Sequence, residues 1–158
     1  MILTLKLERF FLGFPQVGWI KVNINEVARG SPGFTACGDI FRDNCGEYVS
    51  SFSTFLGIKH VLHVEVMYVI FVIEYAQLKV FKKFWLEYDC ALLCQAFGST
   101  HIIHWILKYR WCNCKQICVI MDFIVTYGFR EGNSCPDILA NLDAENRIEF
   151  AWYFILSY

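Results

Sequence analysis

The sequence is short of the features that announce several common functions. Net charge is the first: 14 Lys and Arg stand against 15 Asp and Glu, which leaves −1 at neutral pH. No global basic field exists to gather nucleic acid, so any nucleic-acid surface has to be a local patch. A long uncharged apolar run is also missing. The richest stretch, residues 61–80, is broken by Glu65, Glu74 and Lys79, and its longest charge-free segment there is Val66 to Ile73. A membrane span needs about 20 apolar residues, so a buried helix is expected there and no membrane partner. The first 16 residues carry Lys6, Glu8 and Arg9 and lack the order of a secretion signal. A reducing, intracellular location is therefore expected, with nucleus and cytoplasm not distinguished.

Metal-site spacing is the next absence. Cys37, Cys45, Cys90, Cys94, Cys112, Cys114, Cys118 and Cys135 form no CxxC pair, and no HxxxH stands near them to complete a zinc set. Cys90 with Cys94, and Cys114 with Cys118, are spaced as one helical face would place them. Free buried thiols are the expectation. His60, His63, His101 and His104 likewise form no recognisable ligand set and read as loop or helix-surface residues. There are no internal repeats and no low-complexity linkers, and 158 residues are most simply one monomeric domain.

What is present is a strongly apolar, aromatic chain, 56% hydrophobic and 18% aromatic, which excludes disorder. Trp19 to Asn25 alternates apolar with polar residues, as a half-buried strand does, and Ala28 to Gly33 reads as a turn. Residues 34–42 and 47–56 alternate as two further strands about the tight turn Asp43-Asn44-Cys45-Gly46, with Gly57 to His60 breaking the pattern. A long helix over 61–80 is apolar on more than one side, so it is expected between the sheet and another helix. A short strand at 84–89 runs straight into a helix at 90–97, the βαβ signature of parallel pairing. A helix at 104–118, a strand at 123–130 and a final helix from Asp137 to Ala144 complete the order. Trp85, Trp105 and Trp111 read as core. The expected architecture is α/β: a mixed sheet, an antiparallel meander followed by parallel strands, flanked by helices. Residues 1–18 form a poorly specified lead-in, 19–145 the domain, and 146–158 an aromatic tail.

Four polar residues far apart in sequence are expected to converge. Asn25 closes the first strand, Glu65 lies early in the long helix, Asp89 ends the fourth strand and Asp137 opens the last helix. Strand ends and helix starts of an α/β sheet are where ligands collect. Gathered carboxylates repel unless cations hold them, and hard oxygen ligands select Mg²⁺ or Mn²⁺. Two such ions about 3.5–4 Å apart activate a water and stabilise the leaving oxygen of a phosphodiester. Any chain of this size has acids at strand ends, so spacing alone is weak support.

Four blocks in order, WIKVN with ARGSPG, CGDIFRDNCGEYV, FWLEYD and REGNSCPDILANL, resemble the ribonuclease H-like domain of plant non-LTR retroelement proteins, from about Trp19 to Leu142. The resemblance implies a ribonuclease H fold with a five-stranded mixed sheet. It also implies metal-dependent endonucleolytic cleavage of the RNA strand of an RNA–DNA hybrid, with two Mg²⁺ or Mn²⁺ ions as cofactor. Carried over, Glu65, Asp89 and Asp137 are the catalytic metal ligands, and Asn25 stands where that family has the aspartate shared by both ions. An amide offers an oxygen but no charge. Glu26 replaces a usual Gly, Pro136 a usual Ala, and Ser134 a frequent His. Losing an outer-shell partner costs roughly 10–100-fold in metal affinity or activity, so losing a ligand costs at least that. Weak or absent cleavage is the expectation. A non-catalytic nucleic-acid-binding module and an inactive retroelement remnant remain as alternatives. Hybrid contacts are expected at Arg29, Gly30 and Ser31, at Asn133 before Asp137, and along a basic edge at Lys108 and Arg110.

Overall fold

The computed structural model describes residues 15–30, 33–59, 61–128 and 151–153; for 25–30, 33–35, 56–59, 61 and 151–153 it describes the backbone alone. The elements run β1 (Trp19–Gly30), β2 (Gly33–Arg42), β3 (Tyr48–Lys59), α1 (Val61–Leu78), β4 (Lys83–Tyr88), α2 (Ala91–Gly98), a 3₁₀ turn (Thr100–Ile102), α3 (Trp105–Ile120), β5 (Asp122–Tyr127) and β6 (Ala151–Tyr153). The sheet order is β5-β4-β1-β2-β3-β6. β1, β2 and β3 pair antiparallel, and β4 and β5 join parallel to β1. The expected five-stranded mixed sheet is thus present. Within the segment read as a tail, β6 adds three residues to its β3 edge.

Two boundaries differ from the sequence reading for identifiable reasons. β1 does not close at Asn25: its ladder with β2 continues to the Gly30–Gly33 pair, so Ala28, Arg29 and Gly30, read as part of a turn, belong to the strand. What ends near Asn25 is the pairing with β4, whose last partners are Ile24 and Tyr88. β3 likewise runs through Gly57 to Lys59. The register shifts by one between Thr35 and Ala36, whose partners are Gly57 and Phe55, so Leu56 is the extra residue of a bulge. A bulge reverses the side-chain alternation, which is why the pattern looked broken. The final helix expected at 137–144 lies outside the described residues.

The core lies between the sheet and α1, and α3 packs against both α1 and β5. Val22 and Ile24 of β1, Phe41 of β2, Phe52 of β3 and Phe84, Leu86 and Tyr88 of β4 are all buried. They meet Val64, Tyr68, Val69, Val72, Ile73 and Ala76 of α1. α1 is buried around most of its girth, as its two-sided apolar sequence requires. Arg110 of α3 spans to Glu74 of α1 at 2.9 Å, and Trp111 Nε1 donates to the Ala96 carbonyl of α2 at 3.3 Å. Trp85 and Trp111 are core as expected; Trp105, 76% exposed at the start of α3, is not. Among the described cysteines all are free, with Cys45 and Cys112 exposed and Cys37, Cys94, Cys114 and Cys118 buried.

The opposite face of the sheet carries polar residues that are also buried. Lys21 Nζ lies 3.0 Å from Glu87 Oε2 and 4.3 Å from the centre of the Trp85 ring. Asn23 Nδ2 donates to Glu87 Oε1 at 2.6 Å, and Trp85 Nε1 donates to Thr126 Oγ1 at 2.7 Å. Lys21, Asn23, Glu87, Trp85 and Thr126 are thus partnered, as burial demands, whereas the buried Ser53 Oγ of β3 has no hydrogen-bond partner among the described residues.

Candidate functional site

The site begins with a difference in strand length. β4 stops at Tyr88, level with Ile24, while β1 continues beside β2 alone. The β1–β4 register carried one residue further brings the backbone of Asn25 level with Asp89. Asn25 pairs on its other side with Gly38 of β2. Its side chain lies outside the described atoms.

Asp89 follows β4 directly, half-buried, and Cys90 begins the passage into α2. Glu65 approaches from α1, in its second turn, and is 8% exposed. The link between them is Cys90: its Sγ donates to Glu65 Oε2 at 2.9 Å. Burial, and then this contact with a carboxylate, push the Cys90 thiol up to about 12. The thiol therefore keeps its proton at neutral pH and acts as a donor. The sequence marks Cys90 only as a free buried thiol, not as a site residue, and it is free but half-buried; its position directly after Asp89 was the available signal.

Of the four expected site positions, the structure brings Glu65, the Asp89–Cys90 step and the backbone of Asn25 to one end of β1 and β4. Asp137 lies outside the described residues, and so do Asn133, Ser134, Pro136 and Ser31. Arg29 and Gly30 are in the β1–β2 ladder, opposite Phe34 and Gly33. Of the basic edge, Lys108 is exposed, whereas Arg110 is held by both Glu74 oxygens and lies 5.1 Å from the Phe71 ring centre. Among the described residues no group of three His, Cys, Asp or Glu is placed to hold a metal ion. His63 and His104 have ring centres 6.1 Å apart, and His104 Nδ1 accepts the Ile106 amide at the start of α3. His101 and His104 are exposed and His63 is half-buried, while His60 lies outside the described residues.

A second buried carboxylate lies one strand away. Asp39 of β2, opposite Ile24, is fully buried, accepting the Phe52 amide at 3.0 Å and facing Tyr68 Oη at 3.1 Å. Burial pushes its carboxyl well above the usual carboxylate range. Tyr68 sits three residues after Glu65 on α1. The signal in the sequence was an aspartate among Ala36, Cys37, Ile40 and Phe41.

A groove of about 430 Å³ lies elsewhere, at the opposite end of the strands, lined by Gln77, Val80, Phe81, Lys82, Ile117 and Met121 among others. None of the described candidate site residues borders it.

No family model matches the chain. It is 28% identical over 133 residues to a protein of Arabidopsis thaliana provisionally named a ribonuclease H protein, covering 80% of this chain and 21% of that one. The chain thus spans about a fifth of the length of that curated relative. Among solved structures it is similar to RNase H1 of the halophilic archaeon Halobacterium salinarum, with a TM-score of 0.69 at 20% identity, covering 82% of this chain and 99% of that one. It is also similar to LC11-RNase H1, isolated from compost and solved in complex with RNA/DNA hybrid, with a TM-score of 0.70 at 19% identity over 81% of this chain and 98% of that one. At these identities the likeness is one of fold: the sheet and its helices are ribonuclease H-like.

Proposed function

Proceeding from a ribonuclease H-like fold, we propose that this chain is a nucleic-acid-binding domain of the RNA–DNA hybrid ribonuclease type, descended from a retroelement and crippled at its metal site. The observation that carries the reading is the early end of β4. It leaves Asn25 and Asp89 each one residue past the last β1–β4 pair, Ile24–Tyr88, and Cys90, next after Asp89, is bonded to Glu65. The structure solved with RNA/DNA hybrid is similar to this chain in fold, at a TM-score of 0.70, and supports hybrid as the substrate class.

The donor chemistry fits a divalent cation. Glu65 is a nearly buried carboxylate whose described neighbour is a neutral thiol, and Asp89 is half-buried beyond a strand end. Hard oxygen donors in a water-poor setting suit Mg²⁺ or Mn²⁺. Glu65, Asp89 and Asp137 would hold the ions, with Asn25 contributing at most an amide oxygen. When bound, such ions supply an activated water and stabilise the leaving oxygen. The chain's part is to fix the oxygens and to neutralise the ions' mutual repulsion. Three carboxylates do this less well than four.

Cleavage of a labelled hybrid with Mg²⁺ or Mn²⁺ tests the reading. The native chain is expected to turn over slowly or not at all, and Asn25→Asp to gain at least about 10-fold. Equal, ordinary turnover by both would refute the assigned role of Asn25. A second reading, binding without chemistry, is favoured by the same asparagine; it predicts salt-dependent hybrid binding and no cleavage by either protein.

A further inference from the structure

We infer that Cys90 is a positioning residue that holds the Glu65 carboxylate in orientation for a divalent cation. The inference rests on the metal-site reading above and assigns that site a further residue. Cys90 occupies the N-cap of α2, with φ −109° and ψ 106°. A side chain there ordinarily accepts a first-turn amide. The Leu92 and Leu93 amides face this sulfur, yet no hydrogen bond of cap geometry forms, and the thiol proton goes to Glu65 Oε2, 2.9 Å away. The donor comes from the end of β4 and the acceptor from α1, 25 residues apart. The bond therefore fixes the separation of the two elements that carry Asp89 and Glu65.

A glutamate has three side-chain torsions, and without a partner its oxygens sample several directions. Cys90 restrains Oε2 through this hydrogen bond. Partners of this kind behind metal-binding carboxylates alter affinity by about 10–100-fold. Where Asn25 supplies no charge, the remaining carboxylates carry more of the binding, so their orientation weighs more.

The test uses Mn²⁺ as probe, with unbound ion counted by its paramagnetic resonance signal, on the full chain and on Cys90→Ala, Cys90→Ser and Asn25→Asp. Cys90→Ala is expected to weaken Mn²⁺ binding by about 10-fold. Cys90→Ser, which keeps a hydroxyl donor, should stay within about threefold of the parent. Metal-free melting temperatures of both variants report that the fold is intact. A second readout needs no metal: the S–H stretching band lost in Cys90→Ala should move in Glu65→Gln, where an amide replaces the charged acceptor. Mn²⁺ binding unchanged in Cys90→Ala, serine as weak as alanine, or a band indifferent to Glu65→Gln each overturns the positioning role. Mn²⁺ binding by none of the proteins, Asn25→Asp included, overturns the metal-site reading and this role with it.

Discussion

At the scale of single residues, Asp39 shows how a proton completes a buried network. Tyr68 Oη lies 3.1 Å from both Asp39 Oδ2 and the Phe52 carbonyl, but a phenol has one proton to donate. If Asp39 is protonated, its O–H donates to Tyr68 and the Tyr68 O–H donates to Phe52, so every group is satisfied. Burial also favours the neutral acid. Among the described residues the ionisable groups acting on Tyr68 besides Asp39 are Cys37 and Tyr88, neither a cation. An acid whose folded pKa is raised holds its proton in the native state after the unfolded chain has released it. Stability is then greatest below the ordinary carboxylate pKa and falls as pH rises toward the folded value. Asp39→Asn keeps one acceptor for Phe52 and gains a fixed donor for Tyr68. It is expected to match the parent near about pH 4 and to melt higher at about pH 8, in thermal unfolding followed by circular dichroism. A variant that melts lower than the parent at both pH values would refute the protonated acid. This residue also marks a limit of sequence reading. The alternation of residues 34–42 was legible and put Asp39 on one face with Cys37 and Phe41, but both faces of β2 are buried there, so the pattern did not indicate which of them meets α1. Cys90 was hidden for a similar reason: its partner, Glu65, is 25 residues away.

At the scale of elements, most of what the chain forms was written in its periodicity, and the departures are local. The strands about the Asp43–Gly46 turn, the two-sided α1 and the parallel step from β4 into α2 all follow from spacing. A bulge in β3 and the run of β1 past β4 do not, because each depends on a neighbouring strand. The end of α1 is a further example. Phe81 N–H reaches back to the Ala76 carbonyl and Val80 N–H to that of Gln77, closing the helix in a Schellman motif. Val80 takes the left-handed position of that motif, at φ 57°. This conformation costs an L-residue about 1–2 kcal/mol and is poorest for β-branched side chains. The Val80 side chain is 74% exposed, so little packing offsets the strain. Glycine forgoes the strain but loses more chain entropy on folding, about 0.5–1 kcal/mol. Val80→Gly should therefore stabilise by up to about 1 kcal/mol, a rise in Tm of about 2–4 °C for a chain of this length. A fall in Tm would show that Val80 has packing worth more than its strain.

At the scale of the whole molecule, composition and fold pull against each other. A ribonuclease H-like sheet is suited to a nucleic-acid duplex, yet the chain carries one more acid than base. The fold was legible because four blocks of sequence lie in the right order along the chain, three of them on the described strands; any nucleic-acid surface was not, because charge gathers only in three dimensions. Of the expected basic contacts, Arg110 is already engaged by Glu74 and by the Phe71 ring, which leaves Lys108 exposed and Arg29 on the β1–β2 hairpin. Each phosphate neutralised by a Lys or Arg contributes about −0.9 to the slope of log K against log salt for a B-form duplex. With no more than three such contacts, hybrid binding should fall with a slope no steeper than about −3. Fluorescence anisotropy of a labelled hybrid across a salt series measures it, with metal withheld so that binding is separated from cleavage. Lys108→Ala should make the slope shallower by about 1. Glu74→Gln, which releases Arg110 from its ion pair, should steepen it. A slope far beyond −3 would mean that a basic surface outside these residues carries the duplex, and the contacts assigned to Arg29 and Lys108 would fall.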